Sequence, residues 1–191
     1  MDTTTAIGSL LAAFGLSGAA GLNPWLPLFA SALLQRLDVV ELGAPFAELS
    51  RDGWLAALGV LMVLDFVGDK IPVVDHALHM VGTVIAPASG AVLFTGQTGL
   101  ETDIPSLAAI VLGALTAGSI HLGRATARPA STAATGGVGN PVLSFAEDVG
   151  SGLLTAIAFV LPILAVVLVV ALAAGVVAAW LRLRRSLARR R

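Results

Sequence analysis

Residues 150–181 contain no charged side chain. As one helix, those 32 residues would extend about 48 Å at 1.5 Å per residue, against a hydrocarbon core of about 30 Å. A run of this kind fixes the solvent as lipid, with tilt, a kink at Pro162 or projection into water absorbing the excess length. The whole chain agrees. It is 57% hydrophobic and 12% charged over 191 residues, with a mean hydropathy of +0.92, whereas soluble domains carry about 25% charge. Too little polar surface remains to wrap the apolar mass in water, so the fold class is an all-α, polytopic membrane helical bundle. The many Gly and Ala residues suit close helix packing in lipid, with Gly15/Ala19 and Ala114/Gly118 as i,i+4 pairs.

The remaining spans follow from charge and breakers. Residues 3–35 are uncharged but interrupted at Gly21-Leu22-Asn23-Pro24. Asn23 can cap and Pro24 can begin a second helix, which predicts helices over 6–20 and from 24 or 25 to about 34. The second is shorter than the roughly 20 residues of a crossing, so it is expected to be short or re-entrant. No basic stretch precedes the first helix, which reads as retained rather than as a signal peptide. Residues 36–52 form a charged loop, and Trp54 marks the return to the interface. A helix then runs to about Asp69 and is broken at Ile71-Pro72. The next helix opens with Asp75, His76 and His79 and reaches about Phe94, with Pro87, Ser89 and Gly90 interrupting it. A polar connection (95–103), a span (104–123) and a loop (124–139) holding Arg124 and Arg128 precede the final run. The expectation is about five crossing helices in a single transmembrane domain, 1–181, followed by a basic tail, 182–191.

That tail holds six of the eleven basic residues. It reads as cytoplasmic and in contact with anionic lipid through Trp180, Arg182, Arg184 and Arg185, and not as a nucleic-acid site. If every long segment crosses once, however, Lys70, Arg124 and Arg128 fall on the opposite side, against the positive-inside bias.

Several constellations carry chemistry. Asn23-Pro24-Trp25-Leu26 and Asn140-Pro141-Val142-Leu143 each follow a Gly-containing turn, as in an inverted pseudo-repeat with broken helices. The alternative is two unrelated caps. Asp65 and Asp69 share a helix face at i,i+4, either as a solvated helix end or as a cation or proton site. Asp75, His76 and His79 are spaced as a capped helix start or as a metal or proton relay. Glu147 and Asp148 point about 100° apart, so they do not form one clamp. One can face inward while the other reaches water or helps cap the final helix, with Arg124 or Arg128 as available partners. There is no Cys, P-loop, dinucleotide fingerprint, H-E-x-x-H or G-x-S-x-G elbow.

The block Asp65-Phe66-Val67-Gly68-Asp69-Lys70-Ile71-Pro72-Val73-Val74-Asp75, the string Pro87-Ala88-Ser89-Gly90 and the later Gly139-Asn140-Pro141 with Ser144, Glu147 and Asp148 together resemble a bacterial integral membrane family, that of domain of unknown function number 4126. The resemblance covers most of residues 10–175. It implies an integral membrane protein and maps onto Asp65, Asp69, Lys70, Pro72, Asp75, Asn140, Pro141, Ser144, Glu147 and Asp148, without bringing a substrate or reaction.

The leading functional reading is a small transporter or channel-like protein for an ion or small solute, forming a homo-oligomer. Asp65, Asp69, Glu147 or Asp148 would take a cation or proton beside helix breaks at Asn23, Pro24, Asn140, Pro141 and Ser144. A membrane scaffold that binds anionic lipid is the second reading. An intramembrane metal-dependent enzyme using Asp75, His76 and His79 is the third, and the sequence leans away from an enzyme. No cofactor beyond a bound cation is expected. The expected location is the bacterial inner membrane, with the C-terminus in the cytoplasm.

Overall fold

A computed structural model describes residues 3–99 and 102–188. The chain forms α1 (Thr3–Leu22), α2 (Trp25–Arg36), α3 (Phe46–Leu49), α4 (Asp52–Gly68), α5 (Pro72–Thr98), α6 (Ser106–Thr135), α7 (Asn140–Val160) and α8 (Pro162–Ala188). Among the described residues, five helices are long and apolar enough to cross a membrane: α1, α5, α6, α7 and α8. The chain is therefore a polytopic helical membrane protein.

Helix directions follow from side-chain contacts. Phe14 meets Phe94 edge to face at 4.9 Å, and the Ser17 hydroxyl donates to Gly90 O at 2.9 Å, so α5 runs antiparallel to α1. Gly90 lies against Gly113 and Gly21 against Ala117, which sets α6 parallel to α1. Ser151 donates to Ala19 O at 3.0 Å while Ala158 touches Gly15, so α7 descends. The C-terminus of α1 and the N-terminus of α5 thus lie at the same end, here called the upper end.

The second helix is short, as expected, but the chain does not turn back beside its start. Gly43 N donates to Gly96 O at 2.7 Å, and the fully buried Phe46 packs on Gly96. Residues 37–49 therefore carry the chain on to the lower end, and α4 returns from there, passing Phe29 at Gly59. The outer face of α4 is apolar and exposed, with Val60, Leu64 and Phe66 facing outward. At its start, the Asn23 side-chain oxygen accepts from Trp25 N and Leu26 N at 3.0 and 3.1 Å, so Asn23 caps α2 as the sequence indicates.

Two expectations are corrected. The segment expected as a loop, 124–139, is helical as far as Thr135. Its Thr126 and Thr132 hydroxyls bond back to Gly123 O and Arg128 O, and Gly136 stops the helix in the left-handed region at φ 63°. Polarity alone suggests a loop here. What holds the helix is that Arg124 and Arg128, one turn apart, are both neutralised by Glu147.

The final run is likewise two helices. Leu161 leaves helical geometry at φ −135°, ψ 67°, and Pro162 begins α8 where its missing N–H costs nothing. Ala165 and Val169 of α8 then climb α1 past Gly15 and Gly18, and Val176 meets Gly123 of α6. The reversal at Leu161 removes the excess length. It also brings Lys70, Arg124 and Arg128 to the same end of the bundle as Arg182 and Arg185 of α8. Smaller differences are that α5 continues through Pro87 to Thr98 and that α7 already begins at Asn140.

Gly90 and Gly113 bring the backbones of α5 and α6 together. A methyl on Gly113 would come within 2.3 Å of Gly90 O and 2.7 Å of Phe94 Cβ, so both backbones must separate. Gly113→Ala is expected to cost about 1–3 kcal/mol, the range for overpacking. Gly8→Ala, where nothing lies within 4 Å, should be neutral or mildly stabilising. Thermal melts in detergent compare the two, and equal midpoints would refute this packing.

Candidate functional site

The upper ends of six helices converge on a buried network of ion pairs. It begins at the break between α1 and α2. Asn23 is 2% exposed, and its side-chain nitrogen donates to Asp65 of α4 at 3.1 Å and to Asp148 of α7 at 2.8 Å. With its oxygen engaged at the α2 cap, one amide ties four helices together. Ser151 adds a bond to Asn23 O at 3.3 Å.

Lys70, in the α4–α5 turn, pairs with Asp69 at 2.7 Å and Asp148 at 3.2 Å, and its ammonium lies 3.9 Å over the Phe66 ring. Burial pushes the Asp69 carboxyl above the ordinary carboxylate range, against the pull of the Lys70 hydrogen bond. Burial alone would lower the Lys70 ammonium, but Asp69 and Asp148 carry it above its usual value.

On the other side, Arg128 bonds to Asp75, to Ser144 at 2.9 Å and to Glu147 at 2.9 Å. Arg124 pairs with Glu147 at 2.7 Å and donates to Leu22 O. Glu147 and Asp148 therefore do face different partners, as their angular separation requires. The expectation that one of them reaches water is corrected: both are buried, because each finds cations brought by other helices.

Five carboxylates (Asp65, Asp69, Asp75, Glu147, Asp148) meet three cations (Lys70, Arg124, Arg128). Four of the five sit in ion pairs. Among the described residues Asp65 forms none, and its hydrogen bond comes from the neutral Asn23. With every acid ionised, the negative charges exceed the positive by two. Uncompensated charge is expensive away from water.

A chamber of about 50 Å³ lies among Trp25, Asp65, Asp75, His79, His121 and Arg124, with room for a few waters. His79 stacks on His121 at 4.9 Å. Both His121 nitrogens, His79 Nε2 and the Nε atoms of Arg124 and Arg128 are buried without protein partners, the kind of group that internal water satisfies. A larger cleft of about 1090 Å³ runs from Asp69, Lys70 and Arg128 past Thr132 to Gly137 and Asn140 at the α6–α7 turn.

The other sequence candidates separate. Asp75 holds Arg128 rather than orienting His79, and among the described residues no three His, Asp or Glu side chains converge as metal ligands. The His76 and Arg184 side chains lie outside the described residues. Asn140 does not repeat the role of Asn23, since its amide donates to Thr132 at 2.9 Å near the helix end, while Pro141 lines the large cleft and Pro24 the small chamber. Trp180, Arg182 and Arg185 are exposed on α8. His121 is not a sequence candidate, and Arg124 and Arg128 enter the sequence reading only as available partners of Glu147 or Asp148. Their spacing of three and four places them on one helical face, a signal obscured by reading the segment as a loop.

Residues 10–182 match a family model described as Domain of unknown function (DUF4126). No curated protein and no solved structure matches the chain.

Proposed function

Because the chain belongs to the DUF4126 family, whose model spans the whole network, we propose that it is a small transporter or channel-like protein for an ion or small solute, with Asp65 as its proton- or cation-binding group. The observation that carries this reading is that, among the described residues, Asp65 forms no ion pair while its four companion carboxylates each have one. Asp65 lines the chamber, and the neighbouring cleft opens at the upper end. The close contacts of Gly21 with Ala117 and of Gly90 with Gly113 seal the path below. Loading Asp65 neutralises the carboxylate that Asn23 holds, which loosens α4 from the α1–α2 break and gives the site two states. The basic tail and the three buried cations share one end, which the positive-inside rule assigns to the cytoplasm of a bacterial inner membrane.

The test is proton and cation flux in liposomes holding the full chain and a pH-sensitive dye. Asp65→Asn, which keeps the size and can still meet Asn23, is expected to lower flux at least tenfold. Arg36→Gln, in an exposed pair with Asp52 at the lower end, should leave it unchanged. Flux by Asp65→Asn equal to that of the parent chain overturns the assignment.

Contact with anionic lipid is a second, accessory property, favoured by the exposed Arg182 and Arg185 beside the outward-facing apolar surface of α8. Deleting residues 182–191 is expected to weaken salt-sensitive binding to anionic vesicles. Unchanged binding counts against it.

A further inference from the structure

A third cavity is unlike the other two. About 430 Å³ in volume, it lies between α2, α4 and α7, with walls of Leu26, Met62, Val63, Phe66 and Val149. Val63, Phe66 and Val149 are 55%, 41% and 44% exposed, so the groove opens on the lateral, apolar face of the bundle. Its volume is in the range of small-molecule sites, about 300–1,000 Å³. Its lining is almost wholly apolar except at Asn23 and Asp148, two members of the ion network. A greasy entrance that ends at a carboxylate suits a ligand with matching halves.

We propose that this groove admits a lipophilic organic cation from the bilayer and seats its charge beside Asp148. Three observations select this occupant. The network carries two more carboxylates than cations, so an added positive charge is complementary and an anion is not. Asp148 uses one oxygen for Asn23 and the other for Lys70, yet a carboxylate offers about four acceptor positions, so its capacity is not exhausted. Phe66 already holds an ammonium over its ring at 3.9 Å, and it also lines the groove, so the wall is one on which cations are stable. The inference rests on the transport reading for its consequence, since a cation next to Asp148 competes, through Asn23, with a proton or cation on Asp65. Exchange of one for the other is how such a site couples two ligands.

The experiment measures binding of tetraphenylphosphonium and of tetraphenylborate, ions of like shape and opposite charge, to the full chain in zwitterionic nanodiscs, above empty nanodiscs. Saturable phosphonium binding at least tenfold tighter than borate is expected, tightening as pH rises and Asp65 unloads. Asp148→Asn should weaken it at least tenfold. Because that variant disturbs Lys70 and Asn23 as well, Val63→Trp is the second probe. It fills the mouth from an exposed position outside the ion pairs, so it should weaken phosphonium binding while leaving proton flux unchanged. Equal affinity for the two ions identifies a slot for lipid tails and overturns the proposal, as does phosphonium binding unaffected by Val63→Trp. Asp65-dependent flux without phosphonium binding removes this inference alone. Selective phosphonium binding without any flux supports the groove and removes the transport reading.

Discussion

Replacing Arg128 with Met is expected to destabilise the fold by about 3–5 kcal/mol, the cost of leaving buried charges without their partner. Arg128 is 7% exposed and holds Asp75, Ser144 and Glu147. Glu147 keeps Arg124 when Arg128 is lost, but Asp75 has no other ion pair among the described residues. The deficit should therefore fall mainly on Asp75, and adding Asp75→Asn to Arg128→Met should recover a large part of it. Arg36→Met is the control: its pair with Asp52 has side chains 54% and 84% exposed, and loss of such a pair costs roughly 1 kcal/mol or less. Denaturant titrations in mixed micelles measure all three. Arg128→Met as stable as Arg36→Met would show that the interior is solvated and the network is not a buried one.

The second large effect is expected at Asn23. Asn23→Asp keeps an oxygen able to cap α2 but replaces the donor to Asp65 and Asp148 with a third carboxylate. Two unit charges 4 Å apart repel by about 4 kcal/mol at an effective dielectric of about 20, so a loss of about 3–5 kcal/mol is expected at pH 8. The sign of its pH dependence follows from linkage. Protonating one of three adjacent carboxylates removes repulsion that exists only in the folded state, so the deficit is full at high pH and shrinks as pH falls. Asn23→Leu lacks both cap and donor, and should lose stability with much less dependence on pH. Melting midpoints at pH 5 and pH 8 separate the two variants. If Asn23→Asp and the parent chain respond alike to pH, then the amide does not join the two carboxylates.

What the sequence made legible was local. Asn23 could be read as a cap because its type and the following Pro suffice, and Asp65 could be placed one turn from a helix end by counting. Two of the blocks carrying the family resemblance meet in the network. Lys70 of the first block reaches Asp148 of the second, and Arg128 clasps Asp75 of one with Ser144 and Glu147 of the other. That the two blocks meet was not legible, because the direct pair between them, Lys70 with Asp148, spans 78 residues and leaves no periodicity behind. The misreading of 124–139 has the same origin. Charge within a small-residue segment signals a loop unless its neutralising partner is known, and that partner, Glu147, lies on another helix. The reversal at Leu161 was hidden because both helices are uncharged, so only Pro162 marked it.

The long reach of these pairs has a consequence for biogenesis. A chain delivered to the membrane from its N-terminus presents Asn23, Asp65, Lys70 and Asp75 well before Arg128, Glu147 and Asp148 have been synthesised. Each early ionisable group faces a large penalty in hydrocarbon until its partner arrives. The upper ends of α4 and α5 must therefore wait near the headgroups, and their settling is tied to the entry of α7. Burial of the upper end is thus expected to depend on the second half of the chain.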